Sequence, residues 1–298
     1  MEAAEMTQAG PRRHRGMRVL RVLRTARITP RMQRLVLGGP EIEGIGEGPN
    51  LKLLLPPSRT RPPCWPTEGA DGRPIWPADP DRPIVRTYSV RALDRARGEL
   101  HVDFVLHGAG GVASAFAQTA EPGDLLGIGG PGGRGLPAAG FHLFAGDHSA
   151  LPSIAAHLGR LPDEARGAAF IELPGPEEEQ DLPRPPGVAL TFLHRNGAAA
   201  GTTRLLQEAV FALDWPTDRS VAAWIAAESD AAREIRAHLK GPRGMKPRDL
   251  VAVGYWRRGM SETAYGAAYD HDRDADYHRA AREEDSHGHH EGNDDHQH

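Results

Sequence analysis

Cysteine is all but missing from this 298-residue sequence, in which Cys64 stands alone. That excludes an internal disulfide framework, and it excludes a self-supplied iron–sulfur cluster, whose irons need several thiolates. Any redox centre must then be a bound organic cofactor or a metal. Long apolar runs are missing as well. None approaches the roughly 20 residues that a membrane span needs, and the basic start Arg12-Arg13-His14-Arg15 leads into no apolar signal core. A soluble cytoplasmic protein without membrane insertion is the expectation. Basic residues do not gather into a stripe with interleaved aromatics, so nucleic acid is not an expected partner. The formal charge of -4 is unevenly shared: residues 270–298 carry ten acids and three arginines, which leaves residues 1–269 at +3. A mildly basic body suits a small anionic partner.

What is present falls into two halves. The length accommodates two domains, each able to bury its own core. The first half is punctuated by glycine and proline and carries short strand-like runs at 18–23, 34–37, 51–55, 84–92 and 99–107. Val102 and Phe104 alternate with His101 and Asp103, as on a half-buried strand. This pattern predicts an antiparallel six-stranded barrel, interrupted over 56–83 by a proline-rich excursion containing Trp65 and Trp76. From Phe141 the pattern changes. Apolar runs at 141–145, 168–173, 188–193, 221–226 and 250–255 are strands, and helical stripes lie between most of them. Leu151, Ile154, Ala155 and Leu158 form one stripe, Leu205 to Leu213 another, and a third helix runs from Glu228 to Gly241-Pro242. Alternating strands and helices predict a parallel sheet. The expected domains are a disordered N-terminus at 1–15, a barrel over 16–137, an α/β domain over 138–262 and a disordered His/Asp-rich tail over 263–298. That tail has almost no aliphatic residues with which to build a core. Its Ser-His-Gly-His-His stretch suits loose metal binding, yet the spacing matches no closed site, so no metal site is assigned.

Several short motifs carry chemistry. On the strand Arg86-Thr87-Tyr88-Ser89-Val90-Arg91 alternate residues share a face, so a twist or bulge must bring both sets to one ligand. A tyrosine ring lies flat against an aromatic cofactor, a serine hydroxyl hydrogen-bonds a ring nitrogen, and an arginine pairs with a pyrophosphate. Further on, His107-Gly108 is followed by Gly110-Gly111-Val112-Ala113-Ser114, where a strand runs through glycines into a helix start. Free backbone N–H groups and the positive end of the helix dipole make such a start a phosphate site. Gly146-Asp147-His148-Ser149-Ala150-Leu151-Pro152 places Ser149 as an N-cap and Pro152 in a helix's first turn. Near the end come Trp224-Ile225-Ala226-Ala227-Glu228 and Gly254-Tyr255-Trp256-Arg257-Arg258-Gly259.

Arg86 to Ser89 resembles the Arg-x-Tyr-Ser/Thr flavin motif of ferredoxin-reductase-like flavoenzymes. The ordered succession of motifs, from about Arg18 to Gly259, resembles one branch of them, the siderophore-interacting proteins or ferric-siderophore reductases. Their second domain carries Gly-Asp-Glu-Thr-Ala-Leu-Pro after its first strand, a Trp-x-Ala-Gly-Glu helix start and a terminal Gly-Tyr-Trp-basic motif. The sequence departs from that pattern at Val112 (a common proline), Phe116 (a common tryptophan), His148 (an acid) and Ala227 (a glycine).

The resemblance implies FAD as cofactor, held by Arg86, Thr87, Tyr88, Ser89, Arg91, His107, Gly111, Val112, Ala113 and Ser114. It implies NADPH or NADH as donor at Gly146, Asp147, Ser149, Ala150 and Glu228, with ferredoxin as an alternative donor. No catalytic residue beyond the flavin is implied. A nicotinamide yields two electrons together whereas Fe(III) accepts one, and a flavin converts between them. Ferric chelates of catecholate type are anionic, which points to Arg257, Arg258 and Lys240, with Lys246, at the substrate mouth. A flavin-binding carrier, or a reductase of free flavin or a protein, is the competing reading. The first lacks a use for a second nucleotide-type domain, and the second lacks a reason for the Gly-Tyr-Trp-Arg-Arg ending.

Overall fold

The computed structural model describes residues 13–58, 61–106 and 111–288. Strands β1 (Met17–Thr29) and β2 (Met32–Gly38) form a long antiparallel pair, and β3 (Asn50–Leu55) follows. The proline-rich excursion holds a small ribbon of β4 (Thr67–Glu68) and β5 (Pro74–Ile75). Then come β6 (Ile84–Ser89), β7 (Ala92–Asp94), β8 (Glu99–Val105), helix α1 (Val112–Thr119) and β9 (Leu125–Gly132). Their order in the sheet is β6-β3-β9-β1-β2-β8-β7, antiparallel throughout. The sheet curls until Tyr88 on β6 meets Phe104 on β8, with ring centroids 4.3 Å apart. Its interior is filled by Leu20, Leu35, Leu37, Leu53, Leu55, Leu100, Phe104 and Ile128, all essentially inaccessible. Each such side chain contributes about 1.5–3 kcal/mol of burial.

The second unit runs β10 (Phe141–Asp147), α2 (Leu151–Leu158), β11 (Gly167–Leu173), β12 (Val188–His194), α3 (Leu205–Phe211), β13 (Val221–Glu228), α4 (Ser229–Lys240) and β14 (Leu250–Trp256). All five strands are parallel in the order β12-β11-β10-β13-β14. Helix α2 packs its Leu151, Ile154 and Leu158 stripe against Phe144 and Trp224 on one face. Leu206 and Val210 of α3 and Ile235 and Leu239 of α4 cover the other.

The structure differs from the sequence reading in four places. The hydrogen-bonded sheet has seven strands rather than six, the extra one being the three-residue β7. β9 is absent from the strand-like runs read in the first half, because Leu126 and Ile128 alone supply its buried face and glycines hide the pattern. Between β11 and β12, where the sequence shows no helical stripe, the chain makes only a 3-10 turn at Pro176–Glu178. Residues 13–15, assigned to a disordered N-terminus, are held: Arg13 bridges Thr67 and the Arg15 N–H donates to Glu68 at 3.0 Å. Finally, α5 (Glu262–Tyr269) and α6 (Ala275–Gly288) occupy most of the stretch assigned to a disordered tail. One aromatic, Tyr265, is fully buried there, and it supplies the anchor that aliphatic counting overlooks.

The 176–178 turn ties the two units together. Glu178 is fully buried and accepts hydrogen bonds from the Thr29 hydroxyl and from the Arg31 N–H at 2.8 Å, both in the β1–β2 hairpin region. His148, standing where the resembled motif has an acid, brings its Nε2 to 3.3 Å from the same carboxylate.

Candidate active site

A cleft opens where β6 of the barrel faces β13 and β14 of the parallel sheet. Its lining includes Thr87, Tyr88 and Ser89, Trp224, Gly254 and Tyr255, and then Glu262, His271 and Tyr277 from beyond β14. The register explains the barrel side. Asn50 pairs with Ser89 and Lys52 with Thr87, so β3 delivers an amide and a cation beside the motif strand. Pairing along β6 is regular. The irregularity lies next door, where Asn50 pairs with Gly132 but Lys52 with Gly129, a bulge that Gly130-Pro131 creates beside the site. Across the cleft the Tyr255 hydroxyl donates to Asn50 at 3.1 Å and lies 3.4 Å from the Ser89 hydroxyl. The motif strand of one domain thereby meets the last strand of the other.

Tyr88 is half-buried, one side on Phe104 and the other lining the cleft. Burial, with the nearby Glu262 charge, raises its phenol well above the ordinary range, so it stays a neutral ring. Lys52 hydrogen-bonds the Thr87 hydroxyl at 2.5 Å. Arg86 donates to Val85 O and to the Thr263 hydroxyl, and the Thr87 N–H donates to Glu262 at 2.8 Å. Helix α5 thus forms the outer wall of the cleft. Beneath the motif lies a charge excess. Asp103, almost fully buried, receives a bidentate pair from Arg34 at 2.6 and 2.7 Å, and the Arg91 Nε lies 3.6 Å away, itself buried without a hydrogen-bond partner. Burial pulls the Arg91 guanidinium below its usual range. Two cations share one carboxylate, and an anionic group would satisfy the second.

Helix α1 opens at Gly111, whose lack of a side chain leaves the first turn without a side-chain cap or an acid. Its N–H groups suit a phosphate. Val112 is exposed at that start, while Ala113 and Ser114 are buried, and the Ser114 hydroxyl accepts from Gln118 at 3.3 Å. His107 lies outside the described residues. Orphaned Arg91 Nε, the uncapped helix and the half-buried ring on the cleft together fit an FAD.

The residues named for a nicotinamide do structural work. Gly146 is required by packing, since a Cβ there would meet Ala150 Cβ at 2.5 Å and Ala226 O at 2.7 Å. Asp147 accepts from the Ser149 N–H and hydroxyl, from the Glu228 N–H and from the Trp256 indole, the last two at 2.8 Å. Ser149 therefore does not cap α2, which Ala150 begins without a side-chain bond, and Pro152 sits in the first turn as expected. Glu228 caps α4 by accepting from Asp230 N at 2.7 Å, and its other oxygen accepts the Arg258 N–H at 3.2 Å. Of these residues Asp147 and Glu228, at the carboxyl ends of their strands, line a second cleft together with Arg258, whereas Gly146, Ser149 and Ala150 do not.

The proposed substrate cations are dispersed. Arg257 bonds the Ser229 hydroxyl at 3.1 Å and lies over Tyr269. Lys240 is taken by Asp274 at 3.2 Å and by Asp276, so it anchors the tail instead of facing the motif strand. Lys52 and Arg134 are the cations that sequence reasoning missed. The first is signalled only by strand register. Arg134 is buried on Leu250 O at 3.0 Å and Glu284 at 2.7 Å, partners more than 100 residues away. Among the described residues no cluster of His, Cys, Asp or Glu is placed to hold a metal ion, and the His-rich stretch lies largely outside them.

An antiparallel flavin-type barrel joined to a parallel nucleotide-type sheet, with the site at their junction, defines a ferredoxin-reductase-like flavoprotein. The chain belongs to the siderophore-interacting protein family. Residues 21–135 match the model of the siderophore-interacting FAD-binding domain, and residues 139–259 match that of the siderophore-interacting protein. A siderophore utilization protein from T. fusca superposes with a TM-score of 0.75 at 40% identity, covering 82% of this chain and 94% of that one. The ferric vibriobactin reductase of Vibrio cholerae is 31% identical over 83% of this chain and 92% of its own. The NADPH-dependent ferric-chelate reductase of Escherichia coli is 29% identical over 80% and 92%. No helix among the described residues is long and apolar enough to cross a membrane.

Proposed function

We propose that the chain is an FAD-dependent ferric-siderophore reductase, fed by NAD(P)H, that delivers electrons to chelated Fe(III) and so releases Fe(II). The observation that carries this reading is the apposition of the flavin motif strand and the terminal strand of the nucleotide-type domain, at Ser89 and Tyr255. FAD, when bound, supplies the conversion of a two-electron donor into single-electron delivery. The chain's own residues position and shield. Tyr88, backed by Phe104, offers a flat neutral face. Ser89 and Tyr255 present hydroxyls to the ring edge, and Arg86, Arg91 and the start of α1 hold the pyrophosphate. Trp224 and Tyr277 keep water from the cleft floor. An anionic, catecholate-type ferric chelate would be drawn to the exposed Lys52 beside the motif strand. Iron leaves because oxygen ligands selective for Fe(III) hold Fe(II) weakly. Each tenfold of that selectivity lowers the iron potential by about 59 mV, so the tightest chelates need a ferrous trap.

The test is anaerobic stopped-flow spectroscopy of the flavin-loaded protein with NADH or NADPH, followed by a ferric chelate and a ferrous trap. Bleaching and recolouring of the flavin with Fe(II) release is the expected result. A flavin that no nicotinamide bleaches, but whose dithionite-reduced form is reoxidised by the chelate, would replace NAD(P)H with a ferredoxin-type donor. Absence of reoxidation would leave a flavin carrier.

A further inference from the structure

The sheet order β12-β11-β10-β13-β14 reverses the direction of strand addition beside β10, and the strand ends diverge there into the second cleft. It is an open space of about 730 Å³, lined by residues at the ends of β10, β11 and β13 and by the loop from Gly201 into α3. In open parallel sheets such a switch point is where a nucleotide lies, and an acid closing the strand next to the first is placed to accept from a ribose hydroxyl. Glu172 closes β11 in that position and is 5% exposed. It accepts from the Thr203 hydroxyl at 2.7 Å and has Arg195 at 3.5 Å, which leaves lone pairs on a four-site acceptor.

Two further observations say which nucleotide fits. First, the lining carries five acids, Asp147, Glu172, Glu228, Asp230 and Glu234, against two arginines. Of those, Arg204 is held by Glu234 at 2.8 Å, and the Thr202 hydroxyl is spent on Ala199 O. The lining is thus net acidic, which disfavours the additional phosphate of a 2′-phosphorylated nucleotide. Second, Gln207 on the same wall is 4% exposed and its Oε1 is buried with no hydrogen-bond partner. Such an amide lacks a donor, which a hydroxyl or an amine of an uncharged nucleoside supplies and a phosphate does not.

We infer that this cleft takes the adenosine end of a dinucleotide without a 2′-phosphate, with Glu172 and Gln207 as specificity-determining residues, so that the donor is NADH rather than NADPH. The inference rests on the nicotinamide-fed reading above. Its test is calorimetric titration of the flavin-loaded protein with NAD+ and, separately, NADP+. NAD+ is expected to bind at least about tenfold more tightly, one decade being about 1.4 kcal/mol. Glu172→Gln should bring the two within about threefold of each other. Gln207→Leu, which removes no existing bond of the amide oxygen, should weaken NAD+ several-fold with an unchanged melting temperature. NADP+ binding as tightly as NAD+ in the unaltered protein would overturn the inference while leaving the reductase reading intact. Binding of neither, with a dithionite-reduced flavin still reoxidised by a ferric chelate, would overturn both the inference and the nicotinamide donor.

Discussion

At the scale of single residues, the barrel motif could be read from the sequence because its chemistry is local: Arg86 to Ser89 lie on one strand and line one cleft. Replacing Tyr88 with Leu should keep the barrel, since Leu still packs on Phe104, but should weaken FAD by about tenfold, the worth of an aromatic pair beyond its area. Equilibrium dialysis of FAD against the variant reads this directly. His157 makes a second prediction. It sits in α2 against Phe144 and Trp224, with its Nε2 buried and unpartnered. Burial first, then the charges of Arg160 and His142, lowers its pKa from 6.5 to about 4. The unfolded chain therefore binds a proton in that window that the folded chain refuses, and stability falls as pH drops from 6.5 towards 4. The full loss is up to about 3 kcal/mol. Urea unfolding at pH 7 and pH 4.5 should show a smaller difference for His157→Phe than for the unaltered chain. The helical stripe does not betray this histidine, because its burial comes from the sheet beneath α2, in part from Trp224 far along the chain.

At the scale of elements, strands with periodic apolar residues and helices with clear stripes were legible, and the exceptions have physical causes. β9 is rich in glycine, and at Gly127 the neighbours forbid anything larger. A Cβ on Gly127 would meet Leu54 Cβ at 2.9 Å and Trp65 at 3.1 Å. The connection from β10 into α2 is equally tight. Gly146→Val should lower stability by several kcal/mol, because the new side chain overlaps both Ala150 and the backbone of β13. A fall in the thermal midpoint of well over 5 °C, with no folded fraction rescued by excess FAD, is the expected readout. The Gly-Asp motif, read as a nicotinamide contact, thus earns its glycine from packing and its aspartate from tying three strand ends together.

At the scale of the whole molecule, sequence reasoning located two domains but not what joins them. Glu178 emerges from a proline-broken connection and satisfies donors on the barrel 147 and 149 positions away. Removing its charge as Glu178→Leu leaves the buried Thr29 hydroxyl and the partly buried Arg31 N–H without their acceptor, a cost of about 2–6 kcal/mol at roughly 1–3 per orphaned group. Calorimetry should then separate the single melting transition into two. The C-terminal helices complete the assembly. Ending the chain after Met260 strips Glu284 from the buried Arg134 and Glu262 from the Thr87 N–H. Such a chain should bind FAD less tightly and melt earlier, by thermal scan with and without added FAD. The tail escaped sequence reasoning because its hold is ionic and aromatic, through Lys240, Arg134 and Tyr265, and not aliphatic.

Gly254 makes that cover specific. A Cβ at this position would lie 1.8 Å from the hydroxyl of Tyr265, which is itself bonded to Asp272 at 2.5 Å. The family match ends at Gly259, so a glycine within the shared domain is fitted to a side chain outside it. For anyone building chimaeras, the sheet and its cover are a matched set. A relative's C-terminal helices could be grafted onto this sheet only if they left room at the Tyr265 position or brought an equally slender contact. Conversely, this cover would be rejected by any recipient sheet with a side chain in place of Gly254.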